Sequence, residues 1–473
     1  MSGPPRSMAA TTRVLRRGSR RLPGAVGLSL MVAFAAFPGG AAAGAPTRSS
    51  NPVPLATING VLYFQANNGL KGVELWKTNG SAAGTTMVKD INPAGDSYPS
   101  GPWSVNGTLL FSANDGASGS ELWKTNGTAS GTKLVKNIRP GVGGSFPNLQ
   151  ASIGNNVYFA ADNGSSGTEL WKSNGTKTGT VLVKDINPGA AGSSPSNMVV
   201  IGTTLYFTAS NGKGTELWKS NGTKAGTVLV KDINPGASSS SPSYLTKVGS
   251  VLYFAASGPG GAELWRSNGT GNGTVLVKDI EPGPIGSNPL SLIAVGSTLY
   301  FVAGDAAGGR ELWKTVTTAA KVKRVSDINP GPSSANPGDP AFVGSTVYVG
   351  ATDGTTGQEL WKTTSSGAVQ VKDIFGGPNG SQVDELTPVG TTVFFRAADS
   401  TGDVELWKTN GTAGGTVRVR DIQPGSLGSS PRYLLKVGST LYFAANDGVK
   451  GIELWKATGS GASLVKDINT LAP

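Results

Sequence analysis

Along residues 198–233 the chain alternates between short apolar runs and polar breaks: MVVIG, TLYFTAS, TELWKS and VLVKDI. Each run has the length of an ordinary strand and is rich in β-branched and aromatic side chains. The breaks carry turn chemistry. Gly202-Thr203 suits a tight hairpin, Asn211-Gly212 with Gly214 a second, and NGTKAGT a longer third loop. In VLVKDI, Val228 and Val230 fall on one face and Leu229 and Ile233 on the other. Both faces are therefore partly apolar, as expected of a sheet packed on two sides. No sustained 3.6-residue apolar period follows the N-terminal region, which predicts almost no helix.

The same phrase recurs. ELW begins at Glu74, Glu121, Glu169, Glu216, Glu263, Glu311, Glu359, Glu405 and Glu453, at steps of 46 to 48 residues. A four-stranded antiparallel meander repeated at this period is the pattern of propeller blades. The expected fold is all-β: a β-propeller of nine repeats over residues 53–473, with an open repeat array or two smaller propellers as alternatives.

The first 43 residues differ. They hold six arginines and no acid, then an apolar run, AVGLSLMVAFAAF (25–37), and a small-residue stretch ending at Ala41-Ala42-Ala43. This matches a secretory signal peptide, and the run is short for a membrane span. Residues 44–52 read as a linker. The expected product is secreted or held at the cell surface, with no membrane span after cleavage.

Charge changes little in this picture. The chain has a net charge of +11, but removing the six arginines leaves 34 basic and 29 acidic side chains, a net of +5. These are scattered singly, so no nucleic-acid partner is expected. Cysteine and histidine are absent from all 473 residues. That excludes disulfides, Cys or His metal sites, and Ser-His-Asp or Cys-His nucleophilic catalysis.

Candidate chemistry must be weighed against repetition. The tryptophans of the triplet (Trp76, Trp123, Trp171, Trp218, Trp265, Trp313, Trp361, Trp407 and Trp455) occupy one mid-strand position, which suits a blade core better than a sugar platform. The repeated Glu, Lys and Asp cannot converge on one scissile bond, so they are read as pairing with each other or with loop backbone. The recurrent Asn-Gly-Thr is read as a turn rather than a glycan acceptor. No copy supplies a D-x-[DN]-x-[DN]-G loop, so calcium is not expected, nor any other cofactor. Positions that break the pattern remain as candidate ligand contacts. They are Trp103, placed in a loop after YPSGP; Lys321, Lys323 and Arg324, where the sixth copy loses its turn; and Asp384, Glu385 and Arg396. Asp403 breaks the pattern in the same region.

The repeats, written ELWKTNGT or ELWKSNGT, resemble the bacterial ELWxxDGT repeat family over nearly the whole chain after residue 43. The resemblance implies a secreted or surface-associated propeller-like protein and transfers no catalytic residue. The first functional expectation is a non-enzymatic scaffold that binds an extracellular protein or polysaccharide through its loops. The alternatives are a carbohydrate-active hydrolase or lyase using non-repeat Asp or Glu at the channel mouth, or a structural envelope or matrix protein.

Overall fold

The structure, a computed structural model, describes residues 49–316 and 321–471. It contains nine four-stranded antiparallel sheets, each with its strands in sequence order, and no helix among the described residues. The sheets form a nine-bladed β-propeller, numbered here so that blade 1 carries Glu74 and blade 9 Glu453. In blade 4 the strands are Ser196–Ile201, Thr204–Ser210, Thr215–Ser220 and Val228–Lys231. The last is shorter than its apolar pattern suggests, and Leu229 is exposed at the rim. First strands of adjacent blades touch around the ring, so they line the central channel. The signal-peptide reading falls outside the described residues.

The core lies between blades rather than within them. Tyr206, Leu217, Val230 and Ile233 of blade 4 pack on Leu245, Leu252, Phe254 and Ala256 of blade 5. The same arrangement joins blade 9 to blade 1, where Tyr442, Leu454 and Val465 pack on Leu62, Phe64 and Trp76. The ring is therefore closed and single, which removes the open array and the two smaller rings.

The repeated polar residues make the joints of this ring. Glu263 is almost fully buried and accepts hydrogen bonds from the backbone of Ile280 and Glu281 in its own crossover loop. It also accepts from the backbone and hydroxyl of Ser287 at the entry to blade 6, at 2.7 and 2.6 Å. Buried carboxylates require such partners. Lysine does the second half of the joining. Lys231 donates to the Thr274 carbonyl of the next blade at 2.9 Å and lies 5.9 Å from the Trp265 ring centroid. Lys219 reaches the Gly269 carbonyl, also one blade on, at 2.9 Å. The repeated Glu and Lys thus bond to loop backbone and hydroxyl groups, connect neighbouring blades and do not pair with each other.

Seven of the nine ELW tryptophans are buried, and Trp265 and Trp361 are partly so. Each Asn-Gly-Thr is a closed turn. Asn221 Oδ1 accepts from the Thr223 backbone and hydroxyl, and Thr223 Oγ1 accepts from the Gly226 backbone. The first glycine of the turn takes φ between +82° and +88° in every such copy (Gly222, +84°), and a Cβ on Gly226 would stand 2.0 Å from Asn221 Oδ1. The second glycine is fixed by this contact, the first by its left-handed backbone.

Residues 49–52, read from sequence as linker, belong to the ring. The Ser50 backbone and hydroxyl donate to Glu453 at 2.9 and 2.6 Å, completing in blade 9 the joint that Ser287 makes for Glu263.

Candidate functional site

A meander brings the crossover loops and the turns between second and third strands to one end of the ring, the crossover face. There the first strands carry a register position that varies from blade to blade. It lies four residues before the Val or Ile that enters the first hairpin turn and reads Pro54, Gly101, Leu149, Asn197, Tyr244, Ser291, Asp339, Glu385 and Tyr433, Asp339 standing just ahead of its strand, Ala341–Val343. In six blades it is held in the left-handed region by a bulge: Gly101 (φ +55°), Asn197 (+55°), Tyr244 (+54°), Ser291 (+52°), Glu385 (+58°) and Tyr433 (+59°). Such backbone is costly for a Tyr or Glu, and a bulge re-aims the side chain it carries. The residue after it (Leu245 in blade 5, Leu292 in blade 6) enters the core. Tyr244 still packs against the edge of the core between blades 5 and 6, and Ser291 is buried.

Polar chemistry concentrates on blades 5 to 9. Ser291 of blade 6 donates its hydroxyl to Asp339 of blade 7, whose carboxylate is exposed. Tyr244 of blade 5 senses both Asp339 and Arg310. Burial and the Asp339 charge hold its phenol above the usual tyrosine range, and Arg310 acts in the opposite direction. Arg310, half-buried, has its own pKa lowered by burial. Its guanidinium donates to the Asn288 carbonyl at 3.1 Å and meets no carboxylate within ion-pair distance among the described residues. An open cleft of about 270 Å³ lies beside it, between the crossover loop that follows blade 5 and the turn of blade 6.

Glu385 and Asp384 stand on the first strand of blade 8, next to that of blade 7. Asp384 pairs with Arg396 across the hairpin at 3.1 Å, and Glu385 accepts from the Leu434 backbone of blade 9 at 3.0 Å. These three candidates are therefore brought together at the channel. The others are not. Lys321, Lys323 and Arg324 form the fourth strand of blade 6 at the outer rim, where Val322 turns inward, the lysines face out and Arg324 pairs with Asp327. Trp103 is in no loop; it lies on the first strand of blade 2, Ser100–Val105, and packs on the core between blades 2 and 3. Its partner across the hairpin is Leu110, where other blades pair a smaller residue with an aromatic, as in Ala151 opposite Tyr158. The bulk has moved from one strand to the other. Tyr244, Arg310 and Asp339 were missed in the sequence, although aligning the copies on the Val-Gly hairpin exposes the variable position.

A second group of charges lies on the same face of blade 8. Carboxylate oxygens of Asp403, Glu405 and Asp421 fall within 4.8 Å of one another. Arg418 meets Asp403 at 2.5 Å, Asp421 at 3.5 Å and Asp399 at 3.6 Å, so a guanidinium supplies the positive charge such a group requires. Burial, with Asp421 and Asp399, raises the Asp403 pKa, and Arg418 opposes the shift.

No family model matches the chain, and no curated protein matches it. Solved structures similar to it include that of a prolyl endopeptidase, at 15% identity over 68% of this chain and 49% of that one, with a TM-score of 0.42. A puromycin-hydrolysing peptidase from Mycobacterium tuberculosis matches at 11% identity over 74% and 58%, TM-score 0.39. A puromycin hydrolase matches at 14% over 83% and 56%, TM-score 0.41. The chain thus spans about half the length of these proteins. The likeness is one of fold and assigns no activity. Against the expectation of a non-enzymatic scaffold stands the finding that these similar structures are those of peptidases.

Proposed function

We propose that the chain is a carbohydrate-active hydrolase or lyase whose reacting groups are non-repeat side chains at the channel mouth on blades 5 to 8. The observation that carries this reading is the hydrogen bond from Ser291 of blade 6 to Asp339 of blade 7, with the charges of Asp339 and Arg310 both acting on the Tyr244 phenol of blade 5. Asp339, exposed and oriented by one hydroxyl, serves as the base or nucleophile. Tyr244, kept protonated by burial and the neighbouring carboxylate, donates the proton to the leaving oxygen. Glu385, at the equivalent position on the next strand, is the second carboxylate that a hydrolytic route requires. A Ser-His-Asp route is closed to this chain by itself, since it has no histidine. The N-terminal features that suggest export, and the resemblance to ELWxxDGT repeats, support a substrate met outside the cell.

The test is a screen of the protein against a panel of polysaccharides, reading both new reducing ends and the ultraviolet absorbance of unsaturated products. Turnover that falls at least roughly 100-fold in Asp339→Asn and in Tyr244→Phe is the expected result. Absence of turnover across the panel, or full activity in Asp339→Asn, would refute the reading.

A further inference from the structure

From the cleft beside Arg310 we infer a subsite for the carboxylate of an acidic sugar, so that the substrate is a uronate-containing glycan; this rests on the carbohydrate-active reading above. Arg310 occupies the position just before the ELW glutamate, where the other blades place Val73, Ser120, Thr168, Thr215, Ala262, Gln358, Val404 and Ile452. It is the one basic residue in that row, half-buried, and its neighbours leave it without a carboxylate partner among the described residues. A half-buried guanidinium without a carboxylate partner is a site for an anion, and its planar fork matches a carboxylate.

The rest of the lining narrows the ligand. Glu281 and Asp305 face the same cleft, each already accepting one backbone N–H, from Ala306 and Gly308. Their free lone pairs accept hydroxyl protons, and with two carboxylates against one guanidinium in the lining only the Arg310 end of the cleft suits an anion. Asn288 and Ser334 add short polar contacts beside the guanidinium. One anionic group and several hydroxyls on a compact body is the chemistry of a uronic acid residue. A cleft of about 270 Å³ sits just below the ~300–1,000 Å³ of typical small-molecule sites, which suits one such ring. Tyr244 and Asp339 do not line the cleft; Arg310 links it to the proposed reacting groups through its charge, which acts on the Tyr244 phenol.

Calorimetric binding of oligogalacturonate, its methyl ester, a neutral cello-oligosaccharide and a sulfated neutral oligosaccharide to the full chain and to Asp339→Asn tests this. The acid form is expected to bind roughly 10- to 100-fold more tightly than the ester or the neutral glycan, the factor a charge-assisted contact supplies. Arg310→Gln should remove that preference and Arg310→Lys should keep part of it. The ester comparison uses the unaltered protein and stands even where a variant fails to fold. Equal binding of acid and ester overturns the subsite, and equal binding of the sulfated ligand overturns its assignment to a carboxylate. The two readings fail separately. Uronate binding without turnover of any glycan sinks the enzyme and keeps the subsite; turnover of neutral glycans with an unchanged KM in Arg310→Gln does the reverse.

Discussion

The Ser50 hydroxyl donates to Glu453 Oε2 at 2.6 Å across 403 residues of chain and joins the last blade to the first. Eight further copies of this relationship hold the blades in order, seven of them with a serine hydroxyl or serine backbone as donor, and in the eighth Ala335 stands in the serine position.

Removing the closing donor leaves a buried carboxylate short of a partner. Ser50→Ala should lower stability by about 1–3 kcal/mol. Hydrogen exchange should quicken in blades 9 and 1, whereas Ser240→Ala should quicken it in blades 4 and 5. Urea unfolding with exchange mass spectrometry reads both, and an unchanged exchange pattern in Ser50→Ala would contradict the assigned joint.

Glu311 lacks the hydroxyl that its counterparts receive. It accepts three backbone N–H groups, from Ile328, Asn329 and Ala335, and burial outweighs them to push its pKa up to about 7. Glu453 is pushed to about 7 by the same cause. A raised folded-state pKa stabilises fully below the unfolded value near 4.5, and that contribution is lost as pH rises through about 7. Ala335→Ser supplies the missing donor and should add about 1 kcal/mol above pH 7, with less gain near pH 5 where Glu311 holds a proton. Urea midpoints across that pH range decide it; a gain independent of pH would count against this assignment.

Trp103 and Leu110 exchange the sizes found in the neighbouring blade. Trp103→Ala should cost about 2–3 kcal/mol by emptying part of the core between blades 2 and 3. Adding Leu110→Tyr should recover most of the loss, since Ala151 opposite Tyr158 is that same combination. A double-mutant cycle measures the coupling, and simple additivity would show that the two sites are independent.

Arg418 neutralises a carboxylate that is only 3% exposed, that of Asp403. Arg418→Gln should destabilise by about 3 kcal/mol at pH 7 and less at acid pH, where Asp403 protonates. Because three carboxylates then face each other unneutralised, calcium should raise the melting temperature of the variant and leave the parent unchanged. A parent that responds equally would mean the cation acts elsewhere.

Sequence determined the blade. Alternation of apolar types, glycine-bearing turns and nine repeats of ELW fix four strands and their order, because these depend on local periodicity and turn chemistry. The Asn-Gly-Thr turn is legible for the same reason: all its bonds close within a few residues, as Asn221, Thr223 and Gly226 show. Tertiary structure decided what lies between blades. That Glu453 needs Ser50, that Lys231 reaches Thr274, and that Trp103 packs on the core between blades 2 and 3 are contacts across a seam between blades that no local pattern encodes. The same holds for the candidate site. Tyr244, Arg310 and Asp339 come from three consecutive copies, and only the packing of blades 5, 6 and 7 brings the charges of Arg310 and Asp339 to bear on Tyr244.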